Sequence, residues 1–295
     1  MSLSSLIKLI ALAAIWGGSF LFMRVSAPVL GPVVLISLRV VLGAAFLLAV
    51  AVAQKKRLEF KAHWKHFLIL GLVNTALPFT LFAFAAQTLP ASLLSILNAT
   101  APIWGAMVAA IWLRTPFTVK SIAGLVLGIA GVAILVGYDP MHMTLATGIA
   151  IAAGLAAGLC YGLASVYAKQ AKSVDAFSNA HGSLWAACLW IVPAAPFFPP
   201  VSAPGIWVVA SVIALGVLCS GVAYSLYFNL IDEIGAAPAL SVGFLIPVFG
   251  VLWGSVILHE PVGLRTIIGG LIVLLGTALI TGFNPASLMK RKVPA

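Results

Sequence analysis

The chain has 295 residues, 63% of them apolar and only 7% charged, with a formal net charge of +10 at pH 7. A soluble domain is about 45–50% apolar and about 25% charged, so the water-soluble, disordered and fibrous classes are excluded. The surplus of Lys and Arg, which in a soluble protein would suggest nucleic acid, reads instead as membrane topology; the expected partners are a lipid bilayer and a small-molecule substrate, not nucleic acid.

Uninterrupted apolar stretches fall at 5–25, 32–53, 66–87, 91–113, 119–137, 146–169, 177–197, 205–230, 237–258 and 263–283. A helical crossing takes about 20 apolar residues and satisfies its own backbone hydrogen bonds in lipid. The expected fold is therefore an all-α integral membrane protein with ten transmembrane helices. Turn signals separate the stretches at Gly31-Pro32, Pro90, Thr115-Pro116, Asp139-Pro140, Pro199-Pro200, Gly235 and Glu260-Pro261. The alternating segments of a β-barrel are absent. The first stretch lacks a small-x-small cleavage site and is read as a helix rather than a signal peptide.

Lys55, Lys56, Arg57, Lys61 and Lys65 crowd one link, Arg114 with Lys120 and Lys169 with Lys172 flank two more, and Lys290, Arg291 and Lys292 end the chain. All fall on one side if both termini are cytoplasmic, leaving only Arg24 and Arg265 on the other. Basic residues collect on the cytoplasmic side, so a multi-pass protein of the inner (plasma) membrane with both termini inside is expected.

Adding 145 to a residue number superimposes the two halves. Gly71 maps to Gly216, Pro102 to Pro247, Gly105 to Gly250, Pro116 to Pro261, Gly124 to Gly269, Gly131 to Gly276 and Gly137 to Gly282. Phe79 maps to Tyr224, Phe82 to Tyr227, and Trp16-Gly17 to Tyr161-Gly162. One constant offset over roughly 70 residues marks an internal repeat. The units are expected at 1–138 and 146–283, followed by a cytoplasmic tail at 284–295. Each holds five helices, an odd number, so the second enters the membrane from the opposite side. Such a 5+5 inverted-topology repeat suits a midplane site opened to each face in turn.

The segment AIWGGSFLFMR, with Trp16, Gly17 and Ser19, is followed by ISLRVVLGAAFLLAV, which contains Arg39. The second half carries LGVLCSGVAYSLYFNLIDEIGAAPAL, then FLIPVFGVLWGSVILHEPVG and IIGGLIVLLGTAL. Through both halves the chain resembles the EamA-type domains of the drug/metabolite transporter superfamily. The resemblance implies a ten-helix secondary transporter exporting small organic metabolites. Bacterial amino-acid exporters, including an aromatic-amino-acid branch, are similar in length and helix count; export of drugs or other metabolites is the alternative. It also implies a cavity drawing on the first, third, fourth, sixth, eighth and ninth helices. The family's acid after the fourth helix of a unit stands as Glu260-Pro261 in the second half and is replaced by Thr115-Pro116 in the first.

Polar side chains within crossings usually face the bundle interior. Asn74, Thr75, Thr80, Ser95, Asn98, Thr100, Ser220, Ser225 and Ser241 are of this kind. Asn74 and Asn98, each near a segment middle, either line a passage or hydrogen-bond across helices. Trp64, Trp112 and Trp207 sit near segment ends as interfacial anchors. Trp16, Phe79, Phe82, Trp104, Tyr161, Tyr224, Tyr227, Phe244 and Trp253 lie deeper, and an aromatic-lined cavity suits flat apolar or aromatic metabolites. The substrate-binding candidates are Trp16, Asn74, Phe79, Phe82, Asn98, Tyr161, Tyr224, Tyr227 and Phe244. Pro78, Pro102 and Pro247 fall within segments as bending points or static kinks. Glycine-rich faces at Gly154, Gly158 and Gly162, at Gly124 and Gly128, and at Gly250 and Gly254 let backbones approach.

Glu59, Asp139, Asp175, Asp232, Glu233 and Glu260 all fall in links or at helix ends, so no carboxylate is expected at the midplane. Arg39, well inside a segment, snorkels, bonds to carbonyls, or attracts a substrate carboxylate. His181 is expected as an interfacial polar residue. Cys160, Cys188 and Cys219 read as packing thiols rather than disulfides or metal ligands. No cofactor is expected. His259-Glu260 followed by Pro261 fails the zinc-protease pattern, and no His stands near a Ser or Cys at useful helical spacing, so an intramembrane enzyme is not expected. A channel would need a symmetric ring of like residues, and the sequence leaves the oligomeric state open.

Overall fold

The computed structural model describes residues 2–56, 60–114, 116–137, 144–170 and 174–282. Arg57, Glu59, Thr115, the Asp139-Pro140 turn, Lys172 and the 284–295 tail lie outside the described residues. Every described secondary-structure element is helical.

A continuous helix runs over Leu3–Ala53, broken in dihedrals only at Gly31, which takes φ 71 and ψ 159. A Cβ is disfavoured there, and Pro28 and Pro32 flank the bend. Gly31 thus divides the rod into α1 (3–30) and α2 (32–53). The third rod, α3, spans Phe60–Ala86, and α4 spans Ala91–Trp112. After them come α5 (Val119–Val136), α6 (Leu145–Gln170) and α7 (Ala176–Ile191), the last closing in a 3-10 turn over Val192–Phe197. The chain then forms α8 (Ile206–Ile234), a short turn at Ala236–Ala239, α9 (Val242–Leu258) and α10 (Leu264–Thr281). Counting Leu3–Ala53 once, six helices are long and apolar enough to cross a membrane, with Val119–Leu135 and Val242–Leu258 as shorter apolar helices. Helix length separates fewer crossings than the ten apolar segments, in part because α1 and α2 run on through Gly31.

One start differs from its apolar boundary for a plain physical reason. The α3 helix starts six residues before its apolar run, because Lys61 and Lys65 continue it as a charged, exposed turn. Side-chain caps fix other starts: Thr118 accepts from the Ser121 amide at 3.1 Å and Asp175 from the Ser178 amide at 3.0 Å, each cap worth about 1 kcal/mol.

The bundle is held by contacts between the two halves, and those contacts come in repeat-related pairs. A Cβ at Gly17 of α1 would stand 2.9 Å from the Gly250 nitrogen of α9, and one at Gly162 of α6 would stand 2.6 Å from the Gly105 nitrogen of α4. The 145-residue shift turns the first pair into the second. It likewise exchanges the α5–α10 approaches Gly124–Gly276 and Gly131–Gly269. Gly71 of α3 meets Ala186 of α7, and Gly216 of α8 meets Leu42 of α2. The glycine faces therefore serve close packing. Outside, Ile111, Val119, Leu145 and Trp207 are exposed apolar side chains, as lipid contact requires.

The prolines act differently from one another. Gly71–Ala76 of α3 is π-helical and ends just before Pro78, and the repeat-related stretch Ala214–Val222 of α8 is π-helical too. Pro102 stands in the first turn after a break at Ala99 and Thr100, so α4 is two pieces, Ala91–Asn98 and Ala101–Trp112. Pro247 breaks nothing: it lies inside α9, and the interruption falls earlier, at Leu240 and Ser241.

Candidate functional site

Arg39 on α2 is only 4% exposed and does not snorkel. Its Nε donates to Ser220 Oγ of α8 at 3.0 Å, and its Nη1 faces Met23 Sδ at 3.8 Å. The Phe79 ring of α3 covers the guanidinium, with its centroid 3.6 Å from Cζ. No backbone carbonyl accepts from Arg39 among the described residues, so carbonyl bonding is excluded as well. Its electrostatic neighbours are Cys219, Tyr161 and Tyr224, with no carboxylate among them.

Aromatic rings interlock around this charge. Trp16 meets Tyr224 edge-on at 6.1 Å and Tyr227 at 5.4 Å. Phe82 stacks on Tyr161 at 6.3 Å and meets Phe20 edge-on at 5.4 Å. Tyr224 stacks on Phe228 at 6.0 Å. Each such pair adds about 0.5–1.5 kcal/mol beyond area burial. Trp16, Phe79, Phe82, Tyr161, Tyr224 and Tyr227, from α1, α3, α6 and α8, thus share one neighbourhood. Phe20, Met23 and Phe228 join it without having been singled out; Phe20 and Phe228 stand one helical turn beyond Trp16 and Tyr224, which is the signal that marks them. Phe244 is half-buried near the start of α9.

Asn74 and Asn98 are half-buried, and neither side chain is hydrogen-bonded to the protein among the described residues. The cross-helix bonding that packing would require is missing. Each also stands four residues before a proline, Pro78 or Pro102, which cannot donate to its carbonyl. The hydroxyls of Tyr161, Tyr224 and Tyr227 likewise have no protein partner among the described residues, yet are not sealed from a water-sized sphere. Unpaired polar groups are rare in protein interiors; the Tyr161 and Tyr224 hydroxyls, among the electrostatic neighbours of one guanidinium, make with it a surface able to bind a polar, ring-bearing molecule. Asn98, at the break in α4, is not among the ring contacts.

His181 differs from expectation: it is buried at 2% exposure, with Nε2 accepting from Trp185 Nε1 at 2.9 Å. Its neighbours on α7 supply the helix's packing face, which hydropathy alone does not locate.

At one end of the bundle, Glu260 after α9 caps the start of α4. It accepts from the Ala91 amide at 2.6 Å, the Ser92 amide at 3.1 Å and Ser92 Oγ at 2.9 Å. A carboxylate at a helix N-terminus is favoured by the exposed amides and the dipole. Beside it, Arg24 Nη1 donates to the carbonyls of Ala86 and Gln87, at 2.9 and 2.8 Å, closing the end of α3. Arg24, Pro28, Thr88, Pro90, Leu258, His259, Glu260 and Pro261 line a cleft of about 480 Å³ on this face. Near the start of α1, Lys8 and Ser5 both bond Glu233, close to the end of α8. Inter-repeat ties thus join α9 to α4 at one place and α1 to α8 at another.

Comparison with known proteins agrees with this architecture. The model of the EamA-like transporter family matches residues 3–137 and again 148–282. The chain is 26% identical over 294 residues to the "Uncharacterized transporter YoaV" of Bacillus subtilis (strain 168), covering 98% of this chain and 99% of that one. It is 25% identical over 284 residues to the "Uncharacterized transporter YvbV" of the same organism, covering 91% and 88%. An "Uncharacterized transporter" of Archaeoglobus fulgidus is 26% identical over 270 residues, covering 90% and 94%. A solved structure described as "Crystal structure of protein" shares the fold with a TM-score of 0.64 at 18% identity, covering 98% of each chain. With two tandem matches spanning nearly all of its helices, inter-repeat contacts that recur at one offset and a polar, aromatic centre, the chain belongs to the EamA-like transporter family.

Proposed function

We propose that this EamA-family membrane protein exports a small organic metabolite, with amino acids, aromatic ones included, as the leading substrate class. The observation that carries this reading is the set of Tyr161, Tyr224 and Tyr227 hydroxyls, without a protein partner among the described residues, within a ring-lined centre. Ring walls favour flat apolar groups, and hydroxyl groups open to a ligand favour a polar head. Ten crossings with both termini in the cytoplasm complete the proposal.

Movement follows alternating access. The Glu260–Ser92 and Lys8–Glu233 ties each join a helix of one repeat to a helix of the other. Releasing one while keeping the other parts the repeats at one face only. The described carboxylates, Asp175, Asp232, Glu233 and Glu260, stand at or near helix ends, which supports facilitated efflux rather than strict proton coupling.

Reconstitution in proteoliposomes tests the reading. Labelled amino acids, aromatic ones first, are screened for counterflow with and without an imposed pH gradient. Counterflow that persists without the gradient is expected. Accumulation only with the gradient overturns the coupling, and counterflow of drugs but no amino acid overturns the substrate class.

A further inference from the structure

A guanidinium taken out of water with no acid beside it is costly, and proteins ordinarily offset it with a carboxylate or several carbonyls. Arg39 has neither. Of its five N–H donors, Nε serves Ser220, and Nη1 faces only a thioether sulfur, a weak acceptor. Nη2 has no protein partner among the described residues. Phe79 holds the planar group by its face, a contact that leaves the donor edge free, because cation–π attraction acts through the face. The Ser220 bond and the Phe79 ring fix the direction of the fork, while Tyr161 and Tyr224, whose hydroxyls have no protein partner among the described residues, lie within its field. The repeat-related position is Leu184, fully buried, so the centre holds one cation rather than two.

We propose that Arg39 is the anion-binding residue of the transport site and that the transported molecule carries a carboxylate next to an aromatic or flat apolar group. The proposal rests on the transport reading above for what happens after binding, but binding itself is separable. The carboxylate takes the open edge of the guanidinium, the Tyr161 and Tyr224 hydroxyls donate to it, and the ring enters among Trp16, Phe82 and Tyr227. Neutral and cationic ring compounds are poor ligands, because they leave the buried charge unpaired.

The test uses the purified full-length protein and three pairs of probes: phenylalanine, 3-phenylpropionate and indole-3-acetate, each beside its own amide. Affinity is measured by titration of tryptophan fluorescence, and flux by counterflow in proteoliposomes. At least one acid is expected to bind about 10- to 100-fold more tightly than its amide, the range for a hydrogen bond to a charged group. Arg39→Gln removes that preference; Arg39→Lys retains part of it, since it keeps the charge but not the fork. If Arg39→Gln does not fold, Arg39→Lys and the acid-against-amide comparison in the unaltered protein still decide. Equal binding of acids and amides, no binding of any acid, or an acid preference that survives Arg39→Gln each overturns the proposal. Acid binding that depends on Arg39 without counterflow upholds this site and refutes the transport reading. Equal counterflow of acids and amides upholds transport and refutes the site.

Discussion

Laid on the second repeat at the 145-residue shift, the first repeat differs from it less in scaffold than in chemistry. Gly17–Gly250 has its counterpart in Gly162–Gly105, and Gly124–Gly276 in Gly131–Gly269. The π-helical stretches of α3 and α8 occupy matching places. Yet Arg39 corresponds in sequence to Leu184, Phe79 and Phe82 to Tyr224 and Tyr227, and Glu260 to Thr115. Trp16 is tied to the Cys219 carbonyl at 3.1 Å, whereas the counterparts of that pair, Tyr161 and Asn74, have no such bond among the described residues. Duplication supplies two matching packing surfaces; divergence places the charge, Arg39, in the first half and the Tyr161, Tyr224 and Tyr227 hydroxyls, unbonded among the described residues, in the second. A symmetric scaffold thereby carries an asymmetric site.

The largest expected effect breaks the shared scaffold. Gly17→Leu and Gly162→Leu each push a side chain into the facing backbone, where even a Cβ would stand under 3.0 Å from its neighbours. Overpacking costs about 1–3 kcal/mol for modest insertions and more where backbone is struck. Both variants should unfold at clearly lower temperature than Gly148→Leu, a position with nothing within 4 Å. If only one of the pair is sensitive, the symmetry of the contacts is not functional.

Next comes Glu260→Ala, which strips two amides and a hydroxyl of α4 of their acceptor. A loss of about 1–2 kcal/mol in thermal unfolding is expected, together with faster leak through the closed state in a flux assay. Unchanged stability and unchanged leak would remove Glu260 as a tie between repeats.

A smaller effect sharpens the ring comparison. Tyr224→Phe copies the first repeat onto the second and removes one free hydroxyl. It should weaken substrate affinity several-fold with little change in stability, read as a change in half-saturation of counterflow. Loss of stability without loss of affinity would make Tyr224 a packing residue.

The smallest effect lies at the start of α7. Burial pushes the Asp175 carboxyl up, but the Ser178 hydrogen bonds and the Lys56 charge outweigh it and hold it below the usual carboxylate range. A lowered folded value means stability that is complete above the unfolded value and fades as pH falls through the folded one. The gap in unfolding temperature between the protein and Asp175→Asn should therefore shrink between neutral pH and pH 3; a constant gap would contradict the cap.

Much of the helical layout is legible in the sequence because hydropathy and turn residues act locally: Gly31 and Gly235 stand where the rods bend or end. The glycine faces are legible for the same reason. Arg39 is not, since its bond to Ser220 spans 181 positions and nothing local distinguishes a snorkelling arginine from an enclosed one. Glu260 is recognisable as a family acid, while its role at Ser92, 168 positions away, emerges only from the fold. Pro247 shows the opposite limit: a local breaker signal that lies inside α9 without interrupting it.

The central claim, a site in the bundle centre reached from each face in turn, is tested most directly by thiol labelling. Asn74→Cys is placed in a protein whose Cys160, Cys188 and Cys219 are replaced by serine, reconstituted in vesicles, and exposed to a membrane-impermeant maleimide from one face at a time. Modification from either face, slowed when substrate is held in excess on both sides, is the predicted result. Modification from one face only, whatever the substrate conditions, would contradict it.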